Sequence, residues 1–248
     1  MECSLSQNSM IRAYESDLTG HISPAGVLIR MQEIAEDHAI ALGIGRADMV
    51  DGLGIVWMLT QARIEFDEYP TTAQKVITKT WPAAIERLYY PRSYSICDEK
   101  SGKALIRCMT NYVLFHLPTR KLLRSNAIDA GYTPEDIPIA TQPIQRLRMP
   151  KDMEYSFSRK VQYSDCDMNI HMNNAMYANW ICDMQTPDFI RTHKMKTLDI
   201  TYSKEAAIGE SIDIYTKHEG DEEYICGKIG EHTIFSAKVL WKKYPWED

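Results

Sequence analysis

The chain has 248 residues, 44% of them hydrophobic, and a formal net charge of −6. That length holds one large domain or two small ones, each able to bury a core. The negative charge removes any global electrostatic case for nucleic acid or an anionic membrane surface, and no window approaches the ~18 apolar residues needed to span a bilayer.

The first residues, "MECSLSQNSMIRAYESD", lack a basic start and an apolar run, so neither a signal peptide nor a transit peptide is expected. The six cysteines (Cys3, Cys97, Cys108, Cys166, Cys182, Cys226) are scattered without a C-x-x-C pair. A reduced, cytoplasmic chain is the simpler reading than a zinc protein.

Ser23 is a good helix N-cap and Pro24 a good first helical residue. Leu28, Met31, Ala35, His38 and Leu42 follow at helical spacing, and Gly43 can end the helix. "ARIEF" from Ala62 alternates like a strand with one covered face, and "KALIRCMTNYVLFHL" from Lys103 is a long β-rich run. Five prolines between Pro118 and Pro150 then punctuate an irregular stretch, so residues 129–153 are expected to connect an N-terminal unit (1–128) to a C-terminal one (154–248).

The C-terminal unit repeats the pattern. "YESDLTGHISPAGVLIRMQEI" from Tyr14 resembles "YSDCDMNIHMNNAMYANWICDM" from Tyr163, with Ser16-Asp17 set against Ser164-Asp165, His21 against His171, and a two-residue insertion between. Asn173 or Asn174 is expected to cap a second helix, whose stripe is Tyr177, Trp180, Ile181 and Met184. Thr186-Pro187 stops it or starts a short second one. "LDITY" and "HTIFSAKVLW" supply strands, with Ile64 matched to Ile200, Phe66 to Tyr202 and Val76 to Ile212. The order fits an α+β architecture: an antiparallel sheet wrapped around one helix, built twice.

Asp167, Asn169, His171 and Asn173 stand at every second position. In an extended segment they would share one side, next to a helix N-terminus with its unpaired N–H groups. The run Asp165-x-Asp167-x-Asn169 resembles the start of a calcium loop, but Ile170 and Met176 stand where glycine and glutamate are wanted, so no metal is expected. Nothing nearby marks Cys166 or Cys182 as an activated thiol.

"DMNIHMNNAMYANW", the downstream "YSKEA" and "WMLTQARIEFDEYP" together resemble the acyl-acyl carrier protein thioesterases of plants and bacteria. The resemblance covers most of the chain, in order. It implies two tandem hotdog folds forming an internal pseudo-dimer, and hydrolysis of a fatty acyl thioester carried on the phosphopantetheine of acyl carrier protein, with no cofactor. Catalytic groups are then expected in the C-terminal half, at Asp167, Asn169, His171 and Glu205, with the acyl chain bound mostly in the first half. The cysteine that often follows the family's glutamate is replaced by Ala206.

In the reading this supports, Glu205 takes a proton from water. His171 orients water or assists the thiol, Asn169 donates to the carbonyl, and Asp167 either orients them or acts as nucleophile. Asn173 and Asn174 are candidate substrate contacts, and Leu28 and Met31 candidate tunnel walls as well as core. Tyr69 aligns with Glu205, and "LTGHISPAG" lacks the Asp-x-Asn step, so the first half is expected to bind rather than react. Arg146, Arg148, Lys151, Arg159, Lys160, Lys238, Lys242 and Lys243 are expected to offer a basic surface to an acidic carrier protein. A homodimer is compatible with this. The alternatives are a hotdog thioesterase acting on acyl-coenzyme A and a non-catalytic acyl-binding protein.

Overall fold

Ser23 and Pro24 open the first long helix as their chemistry requires. In α1 (Pro24–Ala41) the Ser23 Oγ accepts the Gly26 N–H at 2.9 Å, and Pro24 sits in the first turn, where no N–H is missed. Gly43, at φ +72°, takes the left-handed position just past the helix end. The structure is a computed structural model and describes residues 3–124, 127–128 and 138–245. Leu28, Met31, Ala35, His38 and Leu42 are all buried, as their spacing predicts.

The first half continues as α2 (Arg46–Leu53) and strands β2 (Ile55–Phe66), β3 (Lys75–Pro82), β4 (Tyr90–Asp98), β5 (Ala104–His116) and β6 (Lys121–Leu122), after an initial β1 (Leu5–Met10). The second half has β7 (Glu154–Lys160), α3 (Met176–Asp183), α4 (Pro187–Thr192), β8 (His193–Tyr202), β9 (Ser211–Glu219), β10 (Glu222–Ile229) and β11 (His232–Lys243). All eleven strands join one sheet in the order β1-β3-β4-β5-β2-β8-β11-β10-β9-β7, with β6 beside β5. Apart from β6, the order reads the same from either end: β1 answers to β7, β3 to β9, and β2 to β8. The halves meet at β2 and β8, antiparallel from Gln61↔Thr201 to Glu65↔Thr197. One apolar cluster runs through both halves, from Ile64, Phe66 and Tyr94 to Trp180, Ile200 and Phe235. The two expected hotdog units are thus present as two halves of one continuous sheet rather than as two separate sheets.

One local expectation is corrected and one open alternative is resolved. The second helix does not start on an asparagine cap. Asn173 Oδ1 accepts the Ala175 N–H at 2.9 Å and closes a turn ahead of the helix, which begins at Met176 without a side-chain cap. Thr186-Pro187 starts α4, with Thr186 Oγ1 accepting the Phe189 N–H at 3.2 Å.

The repeat also lacks an insertion. Ser23 N–H donates to Glu15 O at 2.8 Å, and Asn173 N–H to Asp165 O at 2.8 Å. Glu15 therefore corresponds to Asp165, and Asp17 to Asp167. The shared dipeptide Ser-Asp had drawn the alignment two residues out of phase. The pairings of Ile64 with Ile200 and Val76 with Ile212 hold: Val76 lies opposite Ser9, and Ile212 opposite Arg159, in matching strand pairs.

Of the expected connection, residues 129–137 lie outside the described residues. The part from Pro138 runs along the first half's sheet, where Pro138 O accepts from Trp81 Nε1 at 3.2 Å and Ala140 O from Arg107 Nη1 at 3.3 Å.

Candidate active site

Asp167, Asn169 and His171 come together through a tight turn, not through an extended strand. Asp167 N–H donates to His171 O at 2.9 Å, and Ile170 N–H to Asp167 O at 3.0 Å. Ile170 sits at φ +65°, a left-handed conformation that a β-branched residue adopts only under compulsion. Asp167 Oδ1 accepts the Asn169 N–H at 2.8 Å, and Oδ2 lies 3.4 Å from Asn169 Nδ2. The carboxylate thus holds the loop and aims the amide.

Glu205 reaches this loop from the segment after β8. Met172 N–H donates to Ala206 O at 2.8 Å, which fixes Glu205 beside His171. Its Oε2 lies 3.4 Å from His171 Nδ1, with the glutamate side chain 61% and the histidine side chain 38% exposed. That distance is long for a direct hydrogen bond and fits an ion pair once the imidazole is protonated. Ala206 is fully buried.

All four side chains line a cavity of about 650 Å³. Its apolar wall comes from the first half, including Met49, Ile55, Leu59 and Val113. A second cavity of about 460 Å³ adjoins it, sharing Trp57, Leu59, Asp167, Asn169 and Asn174, and reaching Arg92 under α1. Buried Arg92 donates from Nη1 to His38 Nδ1 at 2.9 Å and to Thr80 Oγ1 at 3.2 Å. Arginine can only donate, so that histidine nitrogen accepts.

Asn174 lines both cavities, and its carbonyl accepts from Tyr202 Oη at 3.0 Å. Asn173, engaged with the turn, lines neither. Leu28 and Met31 also line neither, because both point into the shared core. Sequence reasoning missed Arg46. It lines both cavities and donates from Nη2 to Asn169 Oδ1 at 3.2 Å. Arg46 comes from the other half and carries no local motif, so only the fold brings it to the loop.

Asp165, beneath the loop, is buried and structural. It accepts from Trp180 Nε1 at 3.0 Å and from Gln162 N–H at 2.8 Å. Among the described residues no group of three or more His, Cys, Asp or Glu could hold a metal ion. Burial and the carboxylates of Asp165 and Asp167 push the Cys166 thiol up, and burial takes Cys182 to about 12, so neither is poised as a thiolate. Burial, then Glu205, raises the Tyr177 phenol too.

The first half contains the same turn with different chemistry. Asp17 N–H donates to His21 O at 2.7 Å, Gly20 N–H to Asp17 O at 3.0 Å, and Thr19 N–H to Asp17 Oδ1 at 2.8 Å. The aspartate and histidine are thus retained, and Thr19 stands for Asn169. Ile22 N–H donates to Pro70 O at 2.9 Å, so Tyr69 occupies the place of Glu205, as aligned. Buried Tyr69 stacks on Phe66 and donates to Met195 O at 2.8 Å. Buried Lys194 closes this copy, reaching Asp17 Oδ2 at 2.5 Å and Thr19 Oγ1 at 2.6 Å. Lys194 is the counterpart of Met58, which lines the open cavity. Bulges at equivalent places in β2 and β8 keep that correspondence.

Two family profiles match the chain. The acyl-ACP thioesterase N-terminal domain covers residues 3–127, and the acyl-ACP thioesterase C-terminal domain covers residues 149–243. A chloroplastic acyl-acyl-carrier-protein hydrolase of Cuphea viscosissima is 26% identical over 212 residues, or 80% of this chain and 51% of its own length. Oleoyl-acyl carrier protein thioesterase 2 of Arabidopsis thaliana is 23% identical over 248 residues, or 92% of this chain and 66% of its own. The chain thus spans between half and two thirds of the length of these curated relatives. The solved structure of an acyl-ACP thioesterase from Bacteroides thetaiotaomicron matches with a TM-score of 0.88 at 22% identity, covering 96% of this chain and 98% of that one. The fold is accordingly the double hotdog. No helix among the described residues is long and apolar enough to cross a membrane. With both halves matched in order along nearly the whole sequence, this chain belongs to the acyl-ACP thioesterase family.

Proposed function

We propose that the chain hydrolyses fatty acyl thioesters of acyl carrier protein, releasing the free fatty acid and the carrier's thiol. The observation that carries this reading is the 3.4 Å approach of Glu205 Oε2 to His171 Nδ1 on the wall of the 650 Å³ cavity, whose apolar side comes from the other half. A thioester carbonyl placed at the turn has Asn169 beside it and room for its alkyl chain along Met49, Ile55 and Leu59.

Glu205 is the base. It takes a proton as water adds to the carbonyl carbon, and a positioned base contributes roughly 10²–10⁴-fold. His171 orients that water and then passes the proton from Glu205 to the departing sulfur as the carbon–sulfur bond breaks. Asn169 donates to the carbonyl oxygen where charge develops. Asp167 positions: its Oδ1 is already committed to the Asn169 backbone, which favours orientation over nucleophilic attack. Arg46 holds Asn169 Oδ1 and Asp167 Oδ2 faces one amide N–H, leaving the other amide N–H for substrate. A cytoplasmic site of action belongs to the same proposal and suits cysteines that are all free.

The test is direct. One acyl group is supplied on carrier protein and on coenzyme A, and free thiol and fatty acid are measured. Faster turnover on carrier protein is expected. A clear preference for coenzyme A would replace the substrate, and binding without hydrolysis of either would make the chain an acyl-binding protein.

A further inference from the structure

The mouth of the 650 Å³ cavity has an unusual rim. Two hairpin segments supply it, one before β4 and one after β5. Leu88, Tyr89, Leu117 and Leu122 line the cavity from these segments, yet are 38% to 53% exposed. The same segments carry Arg87, Arg120, Lys121 and Arg124, all exposed, against the single carboxylate of Glu86. None of these four cations makes an ion pair among the described residues.

Of the eight cations expected from sequence to form a docking surface, three are paired with carboxylates. Arg159 is held by Asp183 at 2.6 Å, Lys238 by Glu222 at 2.6 Å, and Lys242 by Asp221 at 2.5 Å. None of them borders either cavity. The other five, Arg146, Arg148, Lys151, Lys160 and Lys243, make no ion pair among the described residues but also border neither cavity, so the rim is set apart by its position at the cavity.

We propose that this rim is the docking face for the acidic protein that delivers the acyl group, a proposal that rests on the thioesterase reading above. The chain's net charge of −6 repels an acidic partner at long range, so approach requires a local patch of the opposite sign. The rim supplies one, within a Debye length of the cavity mouth. Exposed leucines and a tyrosine among these cations form the apolar centre and charged border of a protein interface. A carrier docked here presents its thioester arm to the opening that leads to Glu205 and His171. The cations set the encounter rate and orientation, and the apolar residues set the residence time.

The variant is Arg87→Glu, Arg120→Glu and Arg124→Glu together. Binding of a bacterial holo acyl carrier protein is read by fluorescence anisotropy at low and high salt. Hydrolysis of a small acyl-pantetheine thioester, which has no protein surface, is measured in parallel. The expected result is at least a tenfold weaker Kd, with most of its salt dependence gone, and unchanged turnover of the small thioester. A control reversing Arg146, Arg148 and Lys151 is expected to bind as wild type does. Equal affinity of the rim variant and wild type, or loss in the control alone, overturns the docking face. Carrier binding with hydrolysis of neither thioester by wild type would instead strike the proposed reaction and leave the docking face supported.

Discussion

Arg63 and Asp199 face each other across the seam between the two halves, and each is the other's counterpart in the repeat. Arg63 Nη1 lies 2.7 Å from both carboxylate oxygens of Asp199, and its Nε is 2.9 Å from Glu65. Burial raises the Asp199 carboxyl, and Arg63 opposes that shift. In a dimer of identical halves this position would meet its own copy, so complementary charge there requires the halves to differ. A double-mutant cycle on Arg63→Ala and Asp199→Ala, read from denaturation midpoints, should give a coupling of about 1–3 kcal/mol. Simple additivity would show that the pair contributes nothing at the seam.

Asp165 and Asp167 are two residues apart and should fail differently. Asp165→Ala leaves the buried Trp180 indole N–H without its acceptor and should cost about 1–3 kcal/mol of stability. Asp167→Ala should lower kcat by more than tenfold with a smaller stability loss, because its carboxylate holds a surface loop. Thermal melts and initial rates on the same preparations separate the two. A stability loss confined to Asp167→Ala would reverse the assignments.

Glu205 and His171 should act as a unit. Glu205→Ala is expected to lose 10²–10⁴-fold in kcat with an unchanged circular dichroism spectrum. Adding His171→Ala should then lose little more, since residues serving one proton path are strongly non-additive. Near-normal hydrolysis by folded Glu205→Ala would remove that residue from the mechanism.

Val113, on the apolar wall of the larger cavity, should govern how much alkyl chain fits. Val113→Phe is expected to shift preference toward shorter acyl groups, at about 0.8 kcal/mol per excluded methylene, roughly fourfold in kcat/KM. A panel of acyl carrier proteins graded by chain length checks it. An unchanged profile would place the chain in the adjoining cavity.

Lys194 controls the closed copy of the turn. Burial, then Lys194, holds the His21 imidazole below its ordinary value of 6.5, while Asp17 pulls it upward. Because the folded value is the lower one, this histidine's contribution to stability is complete above pH 6.5 and is lost as pH falls through the folded value. Lys194→Met should raise the His21 pKa, as read by proton NMR, and cost about 1.5–3 kcal/mol by unpairing Asp17. A His21 pKa that does not move would mean burial alone sets it.

Much of this architecture could be read from residue order. Ser23, Pro24 and Gly43 mark α1 because capping and left-handed ends are local properties. The alternation in "ARIEF" and "LDITY" marks the two seam strands because a one-sided sheet imposes period two. The paired spacing of Asp167, Asn169 and His171 pointed to residues that the structure does bring to one cavity, but for the wrong geometric reason. Ile170 adopts a left-handed φ that its side chain argues against, so the turn was hidden. Gly20, at φ +78° in the same place of the first copy, was the available signal, and the out-of-phase alignment obscured it. Arg46 and the rim arginines escaped notice because their roles depend on which segments the sheet brings together. The stripe of Leu28 and Met31 could not reveal whether it faced core or cavity, since both surfaces are apolar.

The plug formed by Lys194 and Tyr69 also fixes a stoichiometry. A symmetric pair of identical subunits repeats any reaction centre twice, whether or not the second is useful. Two unlike halves in one chain let one turn be sealed while the other stays open. A tight-binding thioester mimic should therefore titrate this protein at a single equivalent per polypeptide, with one class of site and no homotropic cooperativity within the chain.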